Sequence, residues 1–301
     1  MDSVRYRLLR KGSVGLAIAA GWLDRLAKAS DPLGGLRLTT KQKKLIRTNE
    51  SLHRAYEQVD RCFILACGPS INKMDLVRLK GEFCLSVSNF FVHDAFRAIR
   101  PKFHLFAPSH HPITEAQFNS WLQDLESNLK DNTETEVMMS VTDARIVAAN
   151  NRFPENKCRY YVTNHGFPAG MTDPFNFSKP IPKVQTVAHA AMYLAMYIGI
   201  RKIYLVGFDH DMILHLDQYK HFYEADKSKL VQSGYNEWGE HRDLEVIGAH
   251  YKNMWQIYKQ VKEVANQSGT EIVNVTPGSL LNVFPRESFE DILARKQPTT
   301  L

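Results

Sequence analysis

A long apolar run is what this chain of 301 residues most clearly lacks. Its N-terminal candidate, Val14–Leu23, is ten residues long and is stopped by Asp24-Arg25. A spanning helix needs about twenty apolar residues, so that stretch does not cross a bilayer, and no clear small-x-small cleavage site follows it. Cysteine is scarce: Cys62, Cys67, Cys84 and Cys158 are the only four, and none forms a Cys-x-x-Cys pair. Three of them sit in strand-like apolar segments. They read as buried thiols in a reducing, cytoplasmic setting, which argues against a disulfide framework or a thiolate metal site. There is no Gly-Lys-Ser/Thr loop for a triphosphate and no Gly-x-Ser-x-Gly elbow for a serine hydrolase. His110-His111 and the scattered His165, His189, His215, His221 and His241 fall into no His-x₃-His metal spacing. Repeats and low-complexity stretches are also missing.

Basic charge is present in one place only. Residues 1–50 hold 11 Lys/Arg against 4 acids, while the remaining residues carry 27 basic and 28 acidic groups. A near-neutral body argues against nucleic acid as a partner, since that would call for a basic face on the folded domain. The basic segment suits an anionic surface, the inner face of the cell membrane above all. Val14, Leu16, Ile18, Trp22, Leu23 and Leu26 form an amphipathic helix pattern able to lie at such an interface or to pack on the domain. The expected organisation is a basic helical N-terminal arm over 1–60 and a catalytic domain over 61–301, with lid segments near 150–182 and 212–245.

Within that domain, apolar strands alternate with helical segments. Strands are expected at Cys62–Cys67, Phe83–Val87, Phe103–Phe106, Glu136–Val141, Lys202–Gly207 and Glu271–Val275. Helices are expected at Ile71–Leu79, Ala95–Ile99, Glu115–Leu129, Thr186–Ile198 (closed by Gly199) and Tyr251–Asn266. This alternation implies parallel pairing through right-handed crossovers, hence an α/β, Rossmann-like three-layer α/β/α sandwich with a mainly parallel sheet. The first strand ends in Gly68-Pro69-Ser70, a turn that offers backbone amides to a phosphate or simply connects strand to helix. Parallel sheets bind ligands beyond their carboxyl ends. That rule gathers Gly68, Ser70, Asn89, Ser109, His110, Asp209, Asp211 and Ser279 at one edge, a set rich in hydrogen-bonding groups and poor in Lys or Arg.

Four motifs occur in order: Ala66-Cys67-Gly68-Pro69-Ser70; Ser88-Asn89-Phe90; Gly199 through Ile203-Tyr204-Leu205 and Gly207 to Asp209; and Pro277-Gly278-Ser279-Leu280-Leu281. Over roughly residues 61–290 they resemble the bacterial sialyltransferases of glycosyltransferase family 42. They also resemble the wider hydroxymethylpterin diphosphokinase-like family, whose bacterial members often look like surface-polysaccharide proteins. The sialyltransferase resemblance implies an acidic sugar (a sialic-acid-like nonulosonate) moved from a CMP- or other nucleotide-linked donor to a surface-polysaccharide or lipid-linked acceptor, with no required cofactor. It places Cys67, Gly68, Ser70, Asn89, Thr186, Asp209, Asp211, Tyr223, Pro277, Gly278 and Ser279 around the donor, and His250 as general base. An imidazole titrating near neutrality suits removal of an acceptor proton; packing at a helix start is the plainer role for the same residue. The sequence departs from that family at Cys67 and Ala107, where it uses Asn, at Thr186-Val187-Ala188 in place of Thr-Ser-Gly, and at Asp211 in place of Tyr.

The diphosphokinase resemblance implies different chemistry, with Asp209 and Asp211 gripping Mg²⁺ for pyrophosphoryl transfer from ATP. A turn-capping role for Asp209 remains open beside it. A third possibility is a degenerate nucleotide fold that scaffolds polysaccharide assembly at the membrane.

Overall fold

The structure, a computed structural model, describes residues 38–164, 166, 175–216, 221–224, 227 and 243–295. The amphipathic stretch expected at Val14–Leu26, most of the basic segment, and the larger part of the second lid lie outside the described residues.

Seven strands form one parallel sheet: β1 (Cys62–Leu65), β2 (Phe83–Val87), β3 (Phe103–Leu105), β4 (Glu136–Ser140), β5 (Cys158–Tyr161), β6 (Lys202–Val206) and β7 (Glu271–Asn274). Their spatial order is β5-β4-β3-β2-β1-β6-β7. The chain builds outward from β1 to β5, then returns to lay β6 against the free side of β1. Strand order reverses between β1 and β6, and that point is where open α/β sheets form a crevice at their carboxyl edge.

Alternation along the strands explains the layers. Phe63 and Leu65 of β1 belong to one apolar core, Cys62 and Ile64 to the other, because successive side chains point to opposite faces. On the first face lie α1 (Thr40–Arg47), α2 (Phe96–Ile99), α3 (Glu115–Leu129), α4 (Ala144–Ala149) and α7 (Phe289–Ala294), through residues such as Ile46, Phe96, Phe118, Ile146 and Ile292. On the second lie α5 (Val187–Tyr197) and α6 (Leu244–Ser268). The architecture is the expected three-layer α/β/α sandwich. Gly199 closes α5 with φ of 100°, a conformation L side chains rarely adopt.

Two local expectations are corrected, and part of the expected arm is placed. The helix expected over Ile71–Leu79 is two short 3₁₀ helices, Pro69–Lys73 and Leu76–Leu79, with Met74 extended between them. Ile71 and Leu76 are both buried, yet five residues of α-helix would set them about 140° apart at roughly 100° per residue. The break lets both face the core. The loop-rich 150–182 segment contains β5, masked in the sequence by Arg159. That side chain is buried because it pairs with Glu136 on β4 and donates to the Thr48 carbonyl (3.0 Å). Residues 38–60, expected within the arm, pack on the domain: Asn49 is buried and donates to the carbonyls of Tyr160 (2.7 Å) and Phe177 (3.0 Å).

Two fully buried imidazoles make the fold acid-sensitive. Burial lowers His104, held by the Ser86 hydroxyl at 2.8 Å, to about 3, and His189 to about 3. Both stay neutral in the fold while the unfolded chain takes up their protons near pH 6.5. Their stabilising contribution is therefore whole above pH 6.5 and is lost as pH falls toward 3. Buried Asp143 and Asp209, raised by burial, act in the opposite sense at lower pH, as they protonate more readily folded than unfolded. Urea unfolding should show lower stability at pH 5 than at pH 7, with these two imidazoles contributing about 4 kcal/mol of the difference. His104→Gln should remove about 2 kcal/mol of it; an unchanged slope would contradict it.

Candidate functional site

The crevice at the β1/β6 reversal is a cleft of about 200 Å³. It is lined by the turn after β1, the residues after β6, Ser88, the first turn of α5, His221, and His250, Tyr251 and Met254 of α6. Of the residues singled out from sequence, Cys67, Gly68, Thr186, Asp209, Asp211 and His250 meet here.

The turn after β1 does not present open amides, which corrects the expectation of a phosphate cradle there. Asp209 reaches across from the end of β6 and fills it. The Ser70 amide donates to Asp209 Oδ1 (2.9 Å) and the Ser70 hydroxyl to Oδ2 (2.7 Å), while the Gly68 amide donates to the Gly207 carbonyl (3.0 Å). Pro69 has no amide hydrogen. Gly68 is required by close approach rather than by a left-handed backbone: its φ is −66°, and a Cβ there would stand 1.8 Å from Asp209 Oδ2 and 2.6 Å from the Gly207 carbonyl oxygen. Burial raises the Asp209 pKa, with the Ser70 bonds pulling it down and the neighbouring Asp211 charge pushing it up.

Other singled-out residues stand behind the lining. Ser70 is buried beneath the turn. Asn89 is buried, accepts from the Trp121 indole and donates to the Lys227 carbonyl (3.4 Å). Tyr223 stacks on His221 with ring centroids 5.2 Å apart. Ser279 accepts from Asn274 Nδ2 (2.9 Å), donates to the Phe208 carbonyl and so braces the β6 end from beneath. Pro277 and Gly278 are exposed in the turn above it.

The N-terminal end of α5 brings its positive dipole to the cleft. Thr186 caps this helix, its hydroxyl accepting the Ala188 amide (3.1 Å). Val187 and Ala188 line the cleft, so the helix end with unsatisfied amides and positive dipole faces it. No Lys or Arg is among the described lining residues. His250 lies inside α6, not at its start as expected. Its Nδ1 is 3.0 Å from Gln185 Nε2, and burial lowers its pKa, leaving a neutral imidazole at pH 7. Asp211 has one carboxylate oxygen, Oδ1, buried without a partner, and its Oδ2 is 3.7 Å from His215 Nε2. Among the described residues no group of three or more His, Cys, Asp and Glu side chains is placed to hold a metal ion, and no helix is long and apolar enough to cross a membrane.

Sequence reasoning passed over His210, His221 and Gln185. His210 sat in plain view between the two carboxylates of Asp209-His210-Asp211, at a strand end where lining residues belong. A larger cavity of about 330 Å³ opens at the opposite, amino edge of the sheet. Its cations already hold partners: Arg201 donates to the Ser268 carbonyl (2.5 Å) and Arg54 pairs with Glu57 (2.7 Å).

No family model and no curated protein matches the chain. Similar solved structures include the sialyltransferase CstII from Campylobacter jejuni in complex with the substrate analogue CMP-3FNeuAc. That structure has 17% identity and a TM-score of 0.47, covering 76% of this chain and 86% of that one. The same enzyme with cytidine-5'-monophosphate gives 15% identity and a TM-score of 0.43, covering 76% and 85%.

Proposed function

We propose that this chain is a glycosyltransferase that moves an acidic sugar, sialic-acid-like or another nonulosonate, from a nucleotide-linked donor to a hydroxyl of a surface-polysaccharide or lipid-linked acceptor. The observation that carries it is His250: a neutral, half-buried imidazole held by Gln185 at the switch-point cleft, where a helix N-terminus supplies the anion site. The acceptor oxygen attacks the anomeric carbon, the carbon–oxygen bond to phosphate breaks with its electron pair staying on phosphate, and the acceptor proton passes to His250 Nε2. For Nε2 to carry the lone pair, Nδ1 must hold the hydrogen, so the Gln185 amide turns its oxygen toward the ring.

Charge selects the donor class. Each phosphate charge brought within ~6 Å of a carboxylate costs about 3 kcal/mol at an effective dielectric near 20, and both Asp209 and Asp211 line the cleft. A CMP-linked donor brings a single phosphodiester charge, fewer phosphate charges than a diphosphate-linked one, and its sugar carboxylate would lie away from Asp209 and Asp211. The basic residues of 1–50 would hold the enzyme against the anionic inner face of the membrane, beside a lipid-linked acceptor.

A second reading rests on Asp211, whose unpartnered buried oxygen suits a divalent cation; Asp209 and Asp211 would then hold Mg²⁺ for pyrophosphoryl transfer from ATP. Turnover separates the two. Glycosyl transfer releases CMP from a CMP-linked sugar without added metal. Consumption of ATP only with Mg²⁺, and none of a nucleotide sugar, would replace the first reading with the second. No turnover and no nucleotide binding would leave a scaffold.

A further inference from the structure

We propose that His210 donates a hydrogen bond from Nδ1 to the phosphate of the bound nucleotide, its ring aimed by Tyr258 from beneath the cleft. This rests on the nucleotide-binding reading above and adds a phosphate-contacting residue to it.

His210 lines the cleft with φ of 53°, a left-handed conformation at a residue that is not glycine. Such a backbone persists where surrounding structure enforces it, and it clusters at ligand sites. The enforcement is visible. The Tyr251 hydroxyl donates to the His210 carbonyl (3.3 Å), and the ring packs edge-on against Trp255 (centroids 5.5 Å) and Tyr258 (5.4 Å). His210 Nε2 is 2.8 Å from the Tyr258 hydroxyl, and Tyr258 is fully buried.

The proposed role takes the tautomer in which Nε2 accepts from Tyr258. Thr186 Oγ1 accepts from the Ala188 amide, and the hydrogen-bond partner of the Tyr258 hydroxyl is His210 Nε2. In this arrangement the phenol O–H donates its hydrogen bond to His210 Nε2. Nδ1 then carries the ring hydrogen and is the nitrogen left for the cleft. Burial holds this imidazole neutral, its pKa about 4, so it is a donor without charge. A cleft with two carboxylates and no lysine or arginine among its described lining residues calls for such a donor beside a phosphate.

Its bond to Nε2 makes the buried Tyr258 phenol a positioning residue.

The test compares binding of a nucleoside monophosphate with binding of its own nucleoside, by calorimetry on the full chain with cytidine, uridine, adenosine and guanosine pairs. In the native chain the best monophosphate binds more tightly than its nucleoside. His210→Asn tolerates the left-handed backbone but stops short of the ligand; it should weaken the monophosphate about 10- to 100-fold and leave the nucleoside unchanged. Tyr258→Phe should shift the same ratio in the same direction by less. Equal losses for both ligands, or an unaltered ratio in His210→Asn, would overturn the role of His210 while leaving the nucleotide site standing. Should His210→Asn not fold, the ratio in Tyr258→Phe decides by the same criterion. Failure of the native chain to bind any of the eight compounds would overturn both this role and the proposed function.

Discussion

Gly68→Ala is expected to lower stability by about 3 kcal/mol, at the upper end of overpacking costs, and Tm by roughly 6–9 °C. The new methyl would stand 1.8 Å from a carboxylate oxygen of Asp209 and 2.6 Å from the backbone carbonyl of Gly207. The Asp209 side chain can swing away, at the cost of its two bonds to Ser70. The Gly207 carbonyl cannot, because it accepts the Gly68 amide next to the β1/β6 pairing. In an Asp209→Ala background the penalty of Gly68→Ala should shrink without vanishing, which a double-mutant cycle followed by thermal melting would show. A Gly68→Ala chain that melts with the native one would mean that the turn after β1 is looser than described.

His250→Ala should cut glycosyl transfer by about 10²- to 10⁴-fold, the usual yield of a positioned general base, with nucleotide affinity nearly native. His250 sits in α6 and is half-buried, so its loss leaves the sheet and the α5 cap in place. In the native enzyme the pH profile carries the sign of the burial effect. Burial lowers the His250 pKa below its ordinary 6.5, the base is active when deprotonated, and kcat/KM should rise with pH through a midpoint below 6.5 and then stay level through neutrality. Steady-state rates from about pH 5 to 8 check this. Full transfer activity in His250→Ala, or a rise centred above about 7, would remove His250 from the role.

The parts of the fold that depend on local pattern were legible. β2 (Phe83–Val87) and α3 (Glu115–Leu129) lie where apolar spacing puts them, and Thr186 and Gly199 bound α5 as cap and stop residues do. Non-local pairing hid the rest. β5 escapes a hydropathy reading because Arg159 finds Glu136 only once β4 is beside it. The Gly-Pro-Ser turn reads as an anion cradle, and it is one, but its anion is the carboxylate of Asp209, 139 residues away from Ser70. Asn89 reads as a ligand-facing strand-end residue, yet Trp121 claims it. The convergence of Gly68, Thr186, Asp209, Asp211 and His250 on one cleft follows from strand order, which places β6 against β1. No spacing along the chain states that order.

A crystal structure of this chain with cytidine monophosphate tests the site most directly. The phosphate should lie at the Thr186–Ala188 end of α5, within reach of His210, with Asp209 still bonded to Ser70 and His250 facing the sugar side of the cleft. A phosphate lodged in the Gly68–Ser70 turn with Asp209 displaced, or a nucleotide bound in the cavity at the amino edge of the sheet, would contradict the account.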